Sequence, residues 1–129
     1  MARTFSIMEL HLRYRLRIAE MNADITVLRI FDDYIKELAL RRNEAKVKTR
    51  IDYFQKQFIG FRKEIDEMRD VMHILKMKLA SYAREKKPLD YKTYKADNYP
   101  ALKKRYAVFR RSFEKVKNDF IKFESEWLD

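Results

Sequence analysis

The chain has no cysteine, one glycine and two prolines among 129 residues. Without cysteine there is no disulfide, no zinc-thiolate site and no thiol nucleophile. One glycine cannot make a glycine-rich phosphate loop. It also leaves the tight turns of all-β and α/β folds almost without the residues that form them. No run approaches the eighteen or so apolar residues that a bilayer span requires. The first thirteen residues break their apolar positions with charge, whereas a secretory signal keeps about seven or more together. These absences predict a soluble, cytoplasmic protein. Two histidines, His11 and His73, are present, and neither has a supporting catalytic motif. No paired acid and base can be named, so no enzymatic activity and no cofactor are expected.

What is present is helical. Hydrophobic residues make up 47% and charged residues 39%, and the length fits one domain, 1–129, able to bury a core without staples. The clearest apolar repeat is Val47, Ile51, Phe54, Phe58, Phe61, Ile65, Met68, Met72, Leu75, Leu79 and Tyr82, in steps of three and four. That is one stripe on one long helix, predicted over about 43–87. Gly60 lies inside it and is expected to admit a neighbouring helix closely; Pro88 ends it. A later repeat is Tyr99, Leu102, Tyr106, Phe109, Phe113, Val116, Phe120, Phe123 and Trp127, seven of the nine aromatic. It predicts a helix over about 98–128, capped by Asp97 or Asn98, with Pro100 in its first turn. Residues 88–97 are polar and aperiodic, which predicts a loop.

The first segment, predicted as a helix over about 4–42, carries two stripes. One is Ile7, His11, Tyr14, Ile18, Met21, Ile25, Leu28 and Ile35; the other is Phe5, Leu12, Leu16, Ala19, Ala23, Val27, Ile30 and Tyr34. At 100° per residue they lie about 180° apart. The expected fold is therefore all-α: a long antiparallel, up-down-up three-helix bundle. The alternative is a four-helix bundle in which the first helix breaks near residues 22–24. In a three-helix bundle one face of the first helix stays uncovered, and an exposed apolar strip marks an interface. Leu12, Leu16, Ala19, Ala23, Val27 and Ile30 are the candidate interface, with a second copy or another protein as partner.

Charge is uneven. The net is +10, and the excess gathers in residues 1–17 and 76–111, which an up-down-up bundle brings to one end. Such an end suits an anionic partner, nucleic acid or a ribonucleoprotein. The candidate residues are Arg13, Arg17, Lys86, Lys87, Lys92, Lys95, Lys103, Lys104 and Arg105, with Tyr91 and Tyr94 able to stack on bases. The competing reading is that this charge serves solubility. Glu64, Asp66, Glu67, Asp70 and His73 form an acidic stretch. It lacks the matching ligands on other helices that a bundle di-metal site needs, so no metal is expected. Asp32 and Asp33 are expected to face water, and His11 to meet a tyrosine hydroxyl.

Phe54-Gln-Lys-Gln-Phe-Ile59, Asp66-Glu-Met-Arg69 and Lys117-Asn-Asp-Phe120, with Phe123 and Trp127-Leu128, resemble a family of uncharacterised small bacterial helical-bundle proteins. That family has a phenylalanine–glutamine–x–glutamine–phenylalanine–isoleucine motif and a terminal tryptophan. The likeness spans about residues 25–129. It implies a bacterial, cytoplasmic helical bundle with no assigned activity. Family members carry histidines where this chain has Tyr53 and Asp70, so a metal site in the family would not carry over.

Overall fold

A computed structural model describes residues 4–127. The order is β1 (Thr4–Phe5), α1 (Ile7–Arg41), α2 (Ala45–Arg84), β2 (Leu89–Asp90), α3 (Tyr91–Ala96) and α4 (Tyr99–Trp127). The protein is all-α, with three long helices, one short one and a two-residue antiparallel pairing of Thr4 with Asp90 and Phe5 with Leu89.

α1 starts at Ile7 because Ser6 caps it: the Ser6 hydroxyl accepts from the Glu9 N–H at 3.1 Å. Ser6 and Glu9 have the spacing of a capping box. The predicted start at residue 4 came too early because Thr4 and Phe5 are extended and paired with β2. α1 then runs unbroken through residues 22–24, which overturns the four-helix alternative. α2 stops at Arg84, three residues short of the expected end. Lys86 takes a left-handed φ of 56°, its N–H donates to the Ala83 carbonyl at 3.2 Å, and the Lys87 N–H reaches the Tyr82 carbonyl at 2.9 Å. That pair of bonds is a Schellman stop, with lysine at the position glycine usually fills.

The predicted loop 88–97 is largely ordered structure. Leu89 is fully buried, and the Asp90 carboxylate accepts from the Thr93 N–H at 2.8 Å, starting α3. Asn98 turns the chain into α4 with φ 62°, a conformation asparagine tolerates. Neither expected side-chain cap is used there. Asp97 instead binds α2, accepting from the Tyr82 hydroxyl at 3.2 Å and pairing with Lys78 at 3.5 Å. The Asn98 carbonyl accepts from the Leu102 N–H.

The stripes of α2 and α4 are buried throughout, with only their last members, Tyr82 and Trp127, partly exposed. Phe31 of α1, Phe54 and Phe58 of α2 and Phe120 of α4 meet at centroid distances of 4.5–6.0 Å. Phe54 also meets Phe123, and Phe61 meets Phe109 and Phe113. Partner numbers fall along α2 as they rise along α4, whereas α1 and α4 rise together (Asp24 with Arg110, Phe31 with Phe120). The bundle is therefore up-down-up. Gly60 is exposed, and a Cβ there would meet nothing within 4 Å. The close helix approach expected at Gly60 is absent, because the glycine lies on the solvent face of α2.

Candidate functional site

The candidate residues fall on two surfaces: the outer face of α1 and the end of the bundle where β1, α3 and the start of α4 meet. The inner stripe of α1 is Tyr14, Ile18, Met21, Asp24, Leu28, Phe31, Ile35 and Leu38. Its steps average about 3.4 residues, so it winds left-handedly around the helix. The outer stripe, Leu12, Leu16, Ala19, Ala23, Val27, Ile30 and Tyr34, averages about 3.7, close to the helix's own period, and so runs straight. The two stripes start opposite one another and converge.

That convergence decides which outer positions are uncovered. Val27 is partly buried against the core, which corrects its assignment as a free interface residue. Ile30 and Tyr34 flank the core and share a groove with Ile121 of α4. In the first half the stripe faces away from the bundle: Met8, Leu12 and Leu16 are 75%, 54% and 60% exposed. Ala19 and Ala23 are exposed beside them.

At the other surface the rings form a column. Tyr91 packs on Phe5 (6.4 Å), Phe5 on Tyr94 (3.9 Å), Tyr94 on Tyr99 (5.3 Å) and Tyr99 on Tyr14 (5.8 Å), with interplanar angles of 24°, 12°, 4° and 17°. Tyr94, expected to be available for stacking, is half-buried within this column; Tyr91 is half exposed at its outer end. Lys103 and Lys104 stand beside it, along a cleft also lined by Pro100.

The column's inner hydroxyls are costly to ionise. Burial raises Tyr14 and Tyr99 well above the ordinary tyrosine range. Burial, then donation of its hydroxyl to Glu20, raises Tyr106 to about 12. Groups with raised values stabilise the fold fully below the unfolded tyrosine value of about 10, and lose that contribution as pH rises past it. An alkaline titration should show helicity constant to about pH 10, then falling together with the appearance of tyrosinate absorbance. Tyrosinate that appears in full before helicity changes would contradict this burial.

The basic residues divide into engaged and free. Arg105 donates to both Glu64 oxygens at 2.6 and 2.9 Å and to Glu67 at 2.8 Å, and these bonds depress the Glu64 carboxyl below its usual value. Arg105 is therefore a tie between α4 and α2, a correction to its placement in the anion-binding set. The sequence signal was available, since Glu64 and Glu67 share a face of α2. Arg17 lies over the Tyr14 and Tyr106 rings at 5.8 and 5.3 Å. Arg13 pairs with Glu9, and Lys87 pairs with Glu85 at 3.1 Å. Lys86, Lys92, Lys95, Lys103 and Lys104 make no ion pair among the described residues.

Three of the four carboxylates of the acidic stretch are held in ion pairs. Glu64 and Glu67 hold Arg105, and Asp66 holds Arg69 at 2.7 Å. No group of three metal-ligating side chains occurs among the described residues. His11 is half-buried and makes no hydrogen bond among the described residues, so the expected tyrosine partner is missing. Asp33 faces water as expected; Asp32 is half-buried, 3.8 Å from Arg62. What the sequence reading missed is a carboxylate on the inner stripe. Asp24 is 6% exposed and receives two bonds from Arg110, at 3.0 and 2.6 Å.

No helix among the described residues is long and apolar enough to cross a membrane. No family model, curated protein or solved structure matches the chain.

Proposed function

We propose that this protein is a non-enzymatic helical interaction protein that self-associates through the outer face of α1. The observation that carries the reading is the straight strip of Met8, Leu12, Leu16, Ala19 and Ala23, exposed on the side of α1 away from the bundle. Large side chains flank a pair of alanines four residues apart. A second helix can approach closely at the alanines while the leucines pack around it.

The second copy is placed in antiparallel register, centred on Ala19 and Ala23. The charges of α1 do not set the direction: Arg13, Arg15 and Arg17 stand with Glu9 and Glu20 in its first half, and Asp24, Asp32, Asp33 and Glu37 stand with Arg29, Lys36 and Arg41 in its second. The two-fold operation makes the strip its own complement. From Met8 to Ala23 it is about 23 Å long, at the small end for a stable interface, so dissociation in the micromolar range is expected.

Sedimentation across a concentration series tests this reading. The native chain should pass from monomer to dimer in the micromolar range. Leu16→Asp should stay monomeric, since it sets two carboxylates in an apolar contact. Its helicity and melting point should hold, because the substitution is on the surface. Ile59→Asp, at an exposed α2 position, should dimerise as the native chain does. A native chain that is monomeric throughout, or a Leu16→Asp variant that still dimerises, rejects the proposal.

A further inference from the structure

We infer that the cleft between Phe5, Tyr91 and the start of α4 binds single-stranded nucleic acid, stacking an unpaired base on Tyr91 and placing its phosphates on Lys103 and Lys104. This inference does not rest on the self-association of α1.

The geometry carries it. The cleft is open, about 460 Å³, and lined by Phe5, Tyr91, Tyr94, Pro100, Lys103 and Lys104; a site of that size suits a small planar group. Tyr91 is 50% exposed, and its ring continues the column that runs inward through Phe5, Tyr94, Tyr99 and Tyr14. A base laid on Tyr91 extends an existing stack, and the platform is already held rigid by buried rings. The outermost tyrosine therefore loses little freedom when a base arrives.

The electrostatics select an anion. No carboxylate among the described residues lines the cleft. The two nearest in sequence are occupied, Asp90 capping α3 and Asp97 holding Tyr82 and Lys78. Lys92 and Lys95 on α3, with Lys103 and Lys104 on α4, are free of ion pairs among the described residues. All four follow Tyr91 in the chain, two on its own helix and two on α4, more positive charge than one nucleotide phosphate requires. A strand supplies successive phosphates, and its bases are free to stack; in a duplex they are not.

The test is fluorescence anisotropy of a labelled oligothymidylate of about twelve nucleotides at several salt concentrations, beside a duplex of the same length and thymidine monophosphate as competitor. The strand should bind, its affinity falling linearly in logarithm with log salt. The duplex should bind more weakly, and the monophosphate should not compete at equal phosphate concentration. Tyr91→Ala should weaken strand binding by roughly tenfold, the lower part of the range for loss of one stacked base. Replacing Lys103 and Lys104 by alanine should reduce the salt slope by about 1.4, at about 0.7 per phosphate contact on a single strand. All three side chains lie at the surface, so circular dichroism should show an unchanged fold. Leu16→Asp should bind the strand as the native chain does, which separates failure here from failure of the dimer. Strand binding absent at about 50 mM salt, binding indifferent to Tyr91→Ala, or a duplex bound as tightly as the strand would each overturn the inference. So would effective competition by the monophosphate, which would mark a site for one nucleotide only.

Discussion

Phe120→Ala should lower the free energy of unfolding by about 4 kcal/mol. Phe120 is 2% exposed and touches rings from all three long helices. It is 4.5 Å from Phe31 of α1, 5.2 and 5.3 Å from Phe54 and Phe58 of α2, and 6.4 Å from Phe123 one turn along α4. Truncation removes the burial of a whole ring and leaves a space that three rigid aromatic neighbours cannot collapse into. All four of those contacts are tilted or edge-on pairs that add to the area term. Phe120→Leu keeps most of the volume and should cost about 1 kcal/mol. Urea unfolding checks both: the midpoint should move and the slope should not. A loss below about 1 kcal/mol for the alanine variant would mean that the junction is not the centre of the core.

Asp24→Ala should cost about 3 kcal/mol, near the bottom of the range for breaking a buried ion pair. The Asp24 side chain keeps 8% of its surface and Arg110 keeps 21%, with 2.6 Å between them. Burial alone pulls the Arg110 guanidinium down, but the bonds to Asp24 and Tyr106 more than reverse it, so its value is raised. Removing the carboxylate strands much of that positive charge. Glu20 at 2.9 Å and Glu114 at 3.5 Å remain to soften the loss. The paired replacement Asp24→Leu with Arg110→Met should behave differently. It removes both charges and continues the apolar stripe, so stability should return to within about 1 kcal/mol of native or exceed it. If the double variant is as unstable as the single, the pair contributes net stability and is not merely a matched burial.

Asp24 also marks the limit of what the sequence disclosed. The stripes of α2 and α4 were legible residue by residue, because every member is apolar and the partners are long-range aromatics. α1 was harder. Its inner stripe passes through Asp24, and hydrophobicity skips that residue and selects Ile25 instead. The phase error then conceals Phe31 and Leu38, both buried. Only the partner Arg110, eighty-six residues away, makes the carboxylate acceptable inside. The ordered segment after α2 was hidden for another reason. Leu89, Asp90 and Thr93 do form a legible helix start, with an apolar residue before an aspartate cap. The pairing that fixes Leu89 in place comes from Thr4 and Phe5 at the far end of the chain.

The two candidate surfaces divide in the same way. The apolar strip on α1 was visible as a second period, yet Val27 joins the core because the inner stripe winds toward it. The basic end was visible as charge, but charge alone does not separate Arg105, fixed by Glu64 and Glu67, from Lys103 and Lys104, two residues and one residue before it and without an ion pair among the described residues. Helix geometry makes that distinction: Arg105 faces α2, and the lysines face the cleft.

The central claim, antiparallel self-association through α1, is tested most directly by a distance between two copies. The chain has no cysteine, so Leu40→Cys, at a position 85% exposed near the end of α1, takes a single spin label without ambiguity. Antiparallel pairing about Ala19 and Ala23 places the two labels about 57 Å apart at 1.5 Å per residue. Pulsed dipolar spectroscopy at a concentration above the dimer midpoint should find one population between about 50 and 60 Å, and Leu16→Asp should abolish it. A population below about 25 Å would mean that the helices pair in parallel, and no dipolar signal at any concentration would mean that the outer face of α1 does not bind a second copy.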